Sequence, residues 1–292
     1  MTKLKLTYIE RLIDELDSII PIVDTLLDNS SIIYRDPNDD FRDSNFLFFS
    51  FASKYRWQDK DEKTQVLLRK KYQKFYENFS LLLDKATPQI AKKVEDTNKE
   101  TINLIEQNKA PNSIEEGKSN FRDYAKVFKD FLNLLTSLDK QILIVPDTNS
   151  IIKFPEPNQY CKIATSNKFQ FVILPTVLSE LDKLKITHRD DNFREKVKSV
   201  IKRLKGYRTQ GDILEGIIIN KTITIKMIAT EPNLKNTLKW IDKENNDDRI
   251  IASVLELQLQ NPSQNIIFVT SDVNLQNKAQ MANLNFFDSD EM

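Results

Sequence analysis

The 292-residue sequence predicts an all-α helical bundle over residues 1–140, followed by an α/β domain with a doubly wound parallel sheet over residues 141–292. Three observations predict it. Residues 1–140 place apolar side chains at helical spacing, show no strand-like alternation and contain one glycine, Gly117. Beyond residue 140, short apolar runs alternate with amphipathic stretches, and strands alternating with helices make a parallel sheet with helices on both faces. The composition changes in "SLDKQ", which sets the junction near residue 140.

Each element has a local reason. "YIERLIDELDSIIPIVDTLL" repeats apolar residues at helical spacing, with Pro21 expected to kink or break it. "EKTQVLLRKKYQKFYENFSLLLDKA" is a second amphipathic helix. "TPQIAKKVEDTNKETINLIEQN" opens with Thr87 as N-cap and Pro88 in the first turn. "NKAPNSIEEGKSN" is polar and expected to be a loop, and "FRDYAKVFKDFLNLLTSL" is the last helix of the bundle. In the second part, "QILIVPD", "KFQFVILPT", "NIIFVTSD" and "LNFFDSD" are strands. "VLSELDKLK", "DNFREKVKSVIKRLK", "DDRIIASVLELQLQ" and "NLQNKAQMAN" are the helices between them. "GIIINKTITIKMIAT" is β-rich and expected to form a hairpin before the third crossover.

Composition narrows the function. Forty-three Lys plus Arg balance 43 Asp plus Glu, so any nucleic-acid surface must be a local patch. A single cysteine, Cys161, excludes an intramolecular disulfide framework and a Cys-rich zinc site, and fits a reducing cytoplasm. The charged start "MTKLKLTYIERLIDELD" is unlike a signal peptide, and no apolar run approaches the roughly 20 residues of a membrane span. With four glycines there is neither a P-loop nor a Gly-rich dinucleotide loop. A cytoplasmic protein without a membrane partner is the expectation.

The chemistry lies in acids at strand–helix junctions. Asp147 closes the first strand, in "LIVPDTNSII". Glu180 sits about one turn into the helix after the second strand, Asp247 and Asp248 open a later helix, and Asp272 closes the third strand. Parallel strands deliver their carboxyl ends to one sheet edge, where the following helices begin, so these acids are expected to share that edge. Asp147, Asp248 and Asp272 could each instead be only a helix N-cap, and Glu180 with Asp182 could be a solvated face pairing with Lys183 and Lys185. Carboxylates gathered at one edge repel one another, and a hard divalent cation, Mg²⁺ or Mn²⁺, resolves the conflict. Such a site does metal-assisted work on a phosphate ester. His188 and Cys161 stand alone, which argues against a soft-metal site. An aspartyl-phosphate enzyme would need a second Asp two residues after the first, and Asn149 occupies that position.

"VPDTN", "LPTVLSELDKLK", "NNDDRIIA" and "VTSDVNLQNKA" resemble, in this order, the motifs of PIN-domain nucleases. The resemblance covers about residues 141–288 and implies a PIN-like doubly wound sheet of a larger stand-alone variety. It also implies a metal-dependent ribonuclease leaving 5′-phosphate and 3′-hydroxyl ends. It carries catalytic and metal-binding roles onto Asp147, Glu180, Asp248 and Asp272. Asp247 is the rival for the third acid, and Asp248 is favoured because Ile250 and Ile251 follow it at the family's spacing. Asn149, Thr270, Ser271 and Asn274 are expected to orient the carboxylates.

"HRDDNFREKVKSVIKRLKGYR", residues 188–208, carries eight Lys or Arg against three acids. Arg189, Arg194, Lys198, Lys202, Arg203, Lys205 and Arg208 are expected to hold an RNA backbone, while Val197, Val200, Ile201 and Leu204 pack on the other face. "FLFFSFASKYRW", residues 46–57, is expected to be the aromatic centre of the first domain rather than a base-stacking platform. RNA is the expected partner. A regulatory protein on the helical domain and self-association stay open, as do DNA cleavage and a purely binding role for the scaffold.

Overall fold

The computed structural model describes residues 6–34, 54–234 and 237–292. The chain divides into two compact units, Glu10–Leu135 and Met1–Ile9 with Thr136–Met292. Most of residues 46–57, the aromatic stretch, lies outside the described residues.

In the first unit, helix α1 (Tyr8–Asp28) runs through Pro21 without breaking. The ring points to solvent. Burial of Leu12, Leu16, Ile19, Val23, Leu26 and Leu27 along one stripe outweighs the one backbone hydrogen bond that proline removes. Strands β1 (Ser31–Tyr34) and β2 (Tyr55–Asp59) then form a small antiparallel ribbon that the helical periodicity did not predict. Helices α2 (Glu62–Ser80), α3 (Pro88–Ile105) and α4 (Ile114–Leu134) follow. Thr87 caps α3 as expected, its side chain accepting from the Ile90 N–H. α4 begins inside the polar stretch expected to be a loop. Ser113 accepts from the Glu116 N–H while Glu116 accepts from the Asn112 N–H, a reciprocal cap that starts a helix within polar sequence. Lys118, Arg122 and Lys129 of α4 pair with Asp28, Asp24 and Asp17 of α1 in reversed order, so the two helices are antiparallel.

In the second unit the chain runs β3 (Ile142–Pro146), α5 (Thr148–Lys153), α6 (Cys161–Ala164), β4 (Phe169–Ile173), α7 (Pro175–Thr187), α8 (Asp191–Arg208), β5 (Ile217–Ile219), β6 (Ile223–Met227), α9 (Asn246–Gln260), β7 (Asn265–Val269), α10 (Val273–Met281) and β8 (Asn285–Phe287). The sheet order is β5-β6-β4-β3-β7-β8. Only β5 is antiparallel to its neighbour, so the expected hairpin is present and its second strand joins the sheet beside β4. Gly216 enters that hairpin at φ +116°, and a Cβ there would lie 2.8 Å from Thr224 Cγ2, so the position requires glycine. Ile144, Val145, Phe171, Val172, Ile173, Ile225, Phe268 and Val269 are almost wholly buried, as strands covered on both faces demand. At the start of the chain, the Ile9 N–H donates to the Pro262 carbonyl and Asn285 donates to the Leu6 carbonyl.

The topology places the site. From β3 the chain moves outward through β4 to β6, then returns to the other side of β3 for β7 and β8. The strand order reverses between β3 and β7, which pair in parallel from Ile142↔Asn265 to Pro146↔Val269. In open α/β sheets a crevice forms at such a reversal, beyond the carboxyl ends of the strands.

Candidate active site

A cleft of about 300 Å³ opens at that reversal, lined by Asp147, Thr148, Asn149, Glu180, Lys183, Asp247 and Asp272 among others. Its four acids come from four elements: the end of β3, α7, the first turn of α9 and the residue before α10.

Asp147 is 2% exposed. One carboxylate oxygen accepts from the Ser150 N–H at 2.6 Å, so the residue does cap α5. The other accepts from the Thr270 hydroxyl at 2.5 Å. Thr270, itself fully buried, accepts in turn from the Asp272 N–H at 3.0 Å, which couples the two acids through one hydroxyl. Burial pushes the Asp147 carboxyl above its ordinary value. The hydrogen bonds from Ser150 and Thr270 oppose that rise, and the Asp272 charge adds to it. Asp272 caps α10, with one oxygen accepting from the Asn274 and Leu275 N–H groups. Capping and presentation to the cleft therefore coexist at Asp147 and Asp272, because a cap uses one carboxylate oxygen.

Glu180 is half-buried on α7 and accepts from the Thr148 hydroxyl. In the "DD" pair the two acids part company. Asp247 lines the cleft and accepts from the Asn274 side chain at 3.0 Å. Asp248 is 5% exposed, accepts from the Asp242 N–H at 2.8 Å and pairs with Lys278 at 2.6 Å. The cap of α9 is Asn245, whose side chain accepts from both Asp N–H groups. Asn149 lines the cleft, whereas Ser271 is not among its lining residues.

The donor set is oxygen only, and His188 and Cys161 lie outside the lining. That chemistry suits a hard divalent cation rather than a soft one. Among the described residues, no three His, Cys, Asp or Glu side chains stand close enough to ligate one ion jointly. The carboxylates are spread along the cleft. Asp272 is exposed and the Asp247 side chain is 35% exposed, so both have room to turn. Thr148 and Lys183 are among the lining residues that sequence reasoning did not name as site candidates. Thr148 holds Glu180, and its place inside "PDTN" is the signal. Lys183, one turn beyond Glu180, brings an exposed ammonium to an acidic cleft.

The basic helix is less free than its composition suggests. Arg194 pairs with Asp191, Lys198 with Glu195 and Arg203 with Glu156. Arg189, Lys202, Lys205 and Arg208 form no ion pair among the described residues and are exposed. Val197, Val200 and Leu204 are buried on the opposite face. No described helix is long and apolar enough to cross a membrane.

No curated protein matches the chain. One family model, that of the PIN domain, matches residues 144–290. PIN domains are generally nucleases and generally use divalent metal ions. The matched segment is half of the chain and carries all four strand–helix junctions that line the cleft, and the chain belongs to the PIN-domain family.

Proposed function

We propose that the protein is a metal-dependent endoribonuclease that hydrolyses RNA phosphodiester bonds with Mg²⁺ or Mn²⁺. One observation carries the reading: carboxylates of Asp147, Glu180, Asp247 and Asp272, drawn from four separate elements, line one cleft at the sheet's reversal point. Four acids at one edge are costly for a fold unless a cation uses them. Bound there, the ion supplies positive charge opposite the phosphate and acidity toward its attacking water. The protein's own part is orientation. The Thr270 hydroxyl aims Asp147, the Thr148 hydroxyl aims Glu180, and Asn274 ties Asp247 to the turn that carries Asp272. Lys183 stands at the rim, where its ammonium meets a substrate phosphate.

The test is cleavage of one single-stranded sequence offered as RNA and as DNA, each with Mg²⁺ or Mn²⁺ and with a chelator. RNA should be cut internally to 5′-phosphate and 3′-hydroxyl ends. Asp272→Asn prepared in parallel should be inactive, which excludes a contaminating nuclease. Equal cutting of DNA would make the protein a general nuclease. No cutting despite metal binding would leave a binding scaffold.

RNA is proposed to run along α8 through its unpaired cations. Lys202, Lys205 and Arg208 follow one another at three-residue steps and share a face. Lys202→Glu with Lys205→Glu should weaken RNA binding by about tenfold at low salt and flatten the salt dependence, since fewer counterions are released. The rate at saturating RNA should hold. An unchanged affinity and salt slope would place the RNA elsewhere.

A further inference from the structure

Two neighbouring acids in one helical turn do different work, and a lysine from another helix divides them. Successive residues of an α-helix point about 100° apart, so Asp247 and Asp248 cannot face the same way. Asp247 faces the cleft. Asp248 faces inward, where one oxygen is taken by the Asp242 N–H and the other lies 2.6 Å from Lys278 Nζ. The Lys278 side chain is only 16% exposed, and its ammonium is also 3.7 Å from the nearer Asp247 oxygen. One oxygen of Asp248 is hydrogen-bonded within the fold, the other faces the Lys278 ammonium as an ion pair without hydrogen-bond alignment, and a buried carboxylate and ammonium this close cancel in charge.

We propose that Lys278 is a positioning residue of the cleft: it neutralises Asp248, removes it from the ion's ligand set, and leaves Asp247 as the third acid. The inference rests on the metal-site reading above and deepens it. It reverses the assignment that motif spacing alone favours. Its physical content is a charge count. With Lys278 in place the cleft presents four carboxylates and a neutral pair. Without Lys278 it presents an additional negative charge beside Asp247. Lys278 therefore holds the affinity of the site below what its acids would otherwise give, and the cation it opposes is the one the nuclease uses.

The experiment measures Mn²⁺ binding by titration calorimetry on the full chain, with melting temperature in chelator as the measure of fold. Lys278→Met should melt lower than the parent, because a buried carboxylate has lost its partner. The same variant should bind Mn²⁺ about threefold to tenfold tighter. Lys278→Arg should restore both values. A merely structural lysine would lower the melting temperature without tightening the ion. Unchanged or weaker binding by a folded Lys278→Met protein overturns the proposal. If that variant does not fold, Asp248→Asn with Lys278→Gln replaces the ion pair by a neutral hydrogen-bonding pair. This double variant should bind Mn²⁺ within about threefold of the parent. A tenfold loss would make Asp248 a ligand and overturn the proposal. Asp272→Asn with native Lys278 is the separate control. If the parent's Mn²⁺ binding ignores that change, the metal-site reading itself fails, whatever Lys278 does.

Discussion

Asp147→Asn is expected to lower cleavage by at least about a thousandfold while the protein melts higher than its parent in chelator at neutral pH. Asn has the same size and keeps an oxygen for the Ser150 N–H, so the cap of α5 survives. Thr270 can turn its hydroxyl to accept where it donated. What disappears is the charge. Several kcal/mol of transition-state stabilisation come from a well-placed metal ion, and each 1.36 kcal/mol is tenfold in rate, so if Asp147 holds the ion as proposed its loss costs about three powers of ten.

The stability gain has a defined pH window. Burial, chiefly, raises the folded carboxyl above its ordinary value of 3.8. The folded state then holds its proton more tightly than the unfolded state does. Stability contributed by protonated Asp147 is fully present below 3.8 and is lost as pH rises through the raised folded value. Asn avoids that loss, so the melting difference should be large at pH 7 and vanish in acid. Parent-like cleavage by a pure Asp147→Asn preparation would reduce Asp147 to a cap. A variant melting lower than the parent at pH 7 would contradict the burial argument.

Phe128→Ala should remove about 3–5 kcal/mol from the helical unit. Phe128 is 1% exposed on α4. Its ring meets Phe79 edge-on at 5.2 Å and Phe75 at 5.9 Å, with Tyr72 and Tyr76 at 6.4 and 6.3 Å. Each edge contact adds about 0.5–1.5 kcal/mol beyond the area it buries, and the neighbouring rings cannot all collapse into the space. A domain of ordinary stability has about 5–15 kcal/mol in total, so the loss is a large share. The two tryptophans separate the units, with Trp57 in the first and Trp240 in the second. Denaturant titration should move the Trp57 transition to lower concentration and leave the Trp240 transition in place. A Trp240 transition that moves equally would show that the two units unfold as one cooperative block.

Much of this was legible in the sequence because parallel strands are apolar throughout and end on polar junctions. β3, β4, β7 and β8 follow from that pattern, and with them the edge on which Asp147 and Asp272 meet. The β1–β2 ribbon was not legible, since its strands are short and half-exposed. The first turns of α4 were hidden by polar residues whose capping roles appear only in pairs, Ser113 with Glu116. The ion pair that sets Asp248 apart from Asp247 is made by Lys278, thirty residues further along, and no local spacing reports such a partner. The same limit applies to α8. Glu156, distant in sequence, takes Arg203 out of the free cations, so a count of basic residues overstates the surface available to a phosphate backbone.

The pairing of β3 with β7 has a consequence in time. Thr270 lies 123 positions after the Asp147 that it orients. At about 5–20 residues per second of synthesis, about 6–25 seconds pass between their appearances. Through that interval Asp147 has no hydroxyl to aim it, no β7 beside its strand and no Asp272 across the cleft. On the proposed function, an emerging polypeptide is expected to be inert toward the message that encodes it until β7 has been delivered to the sheet.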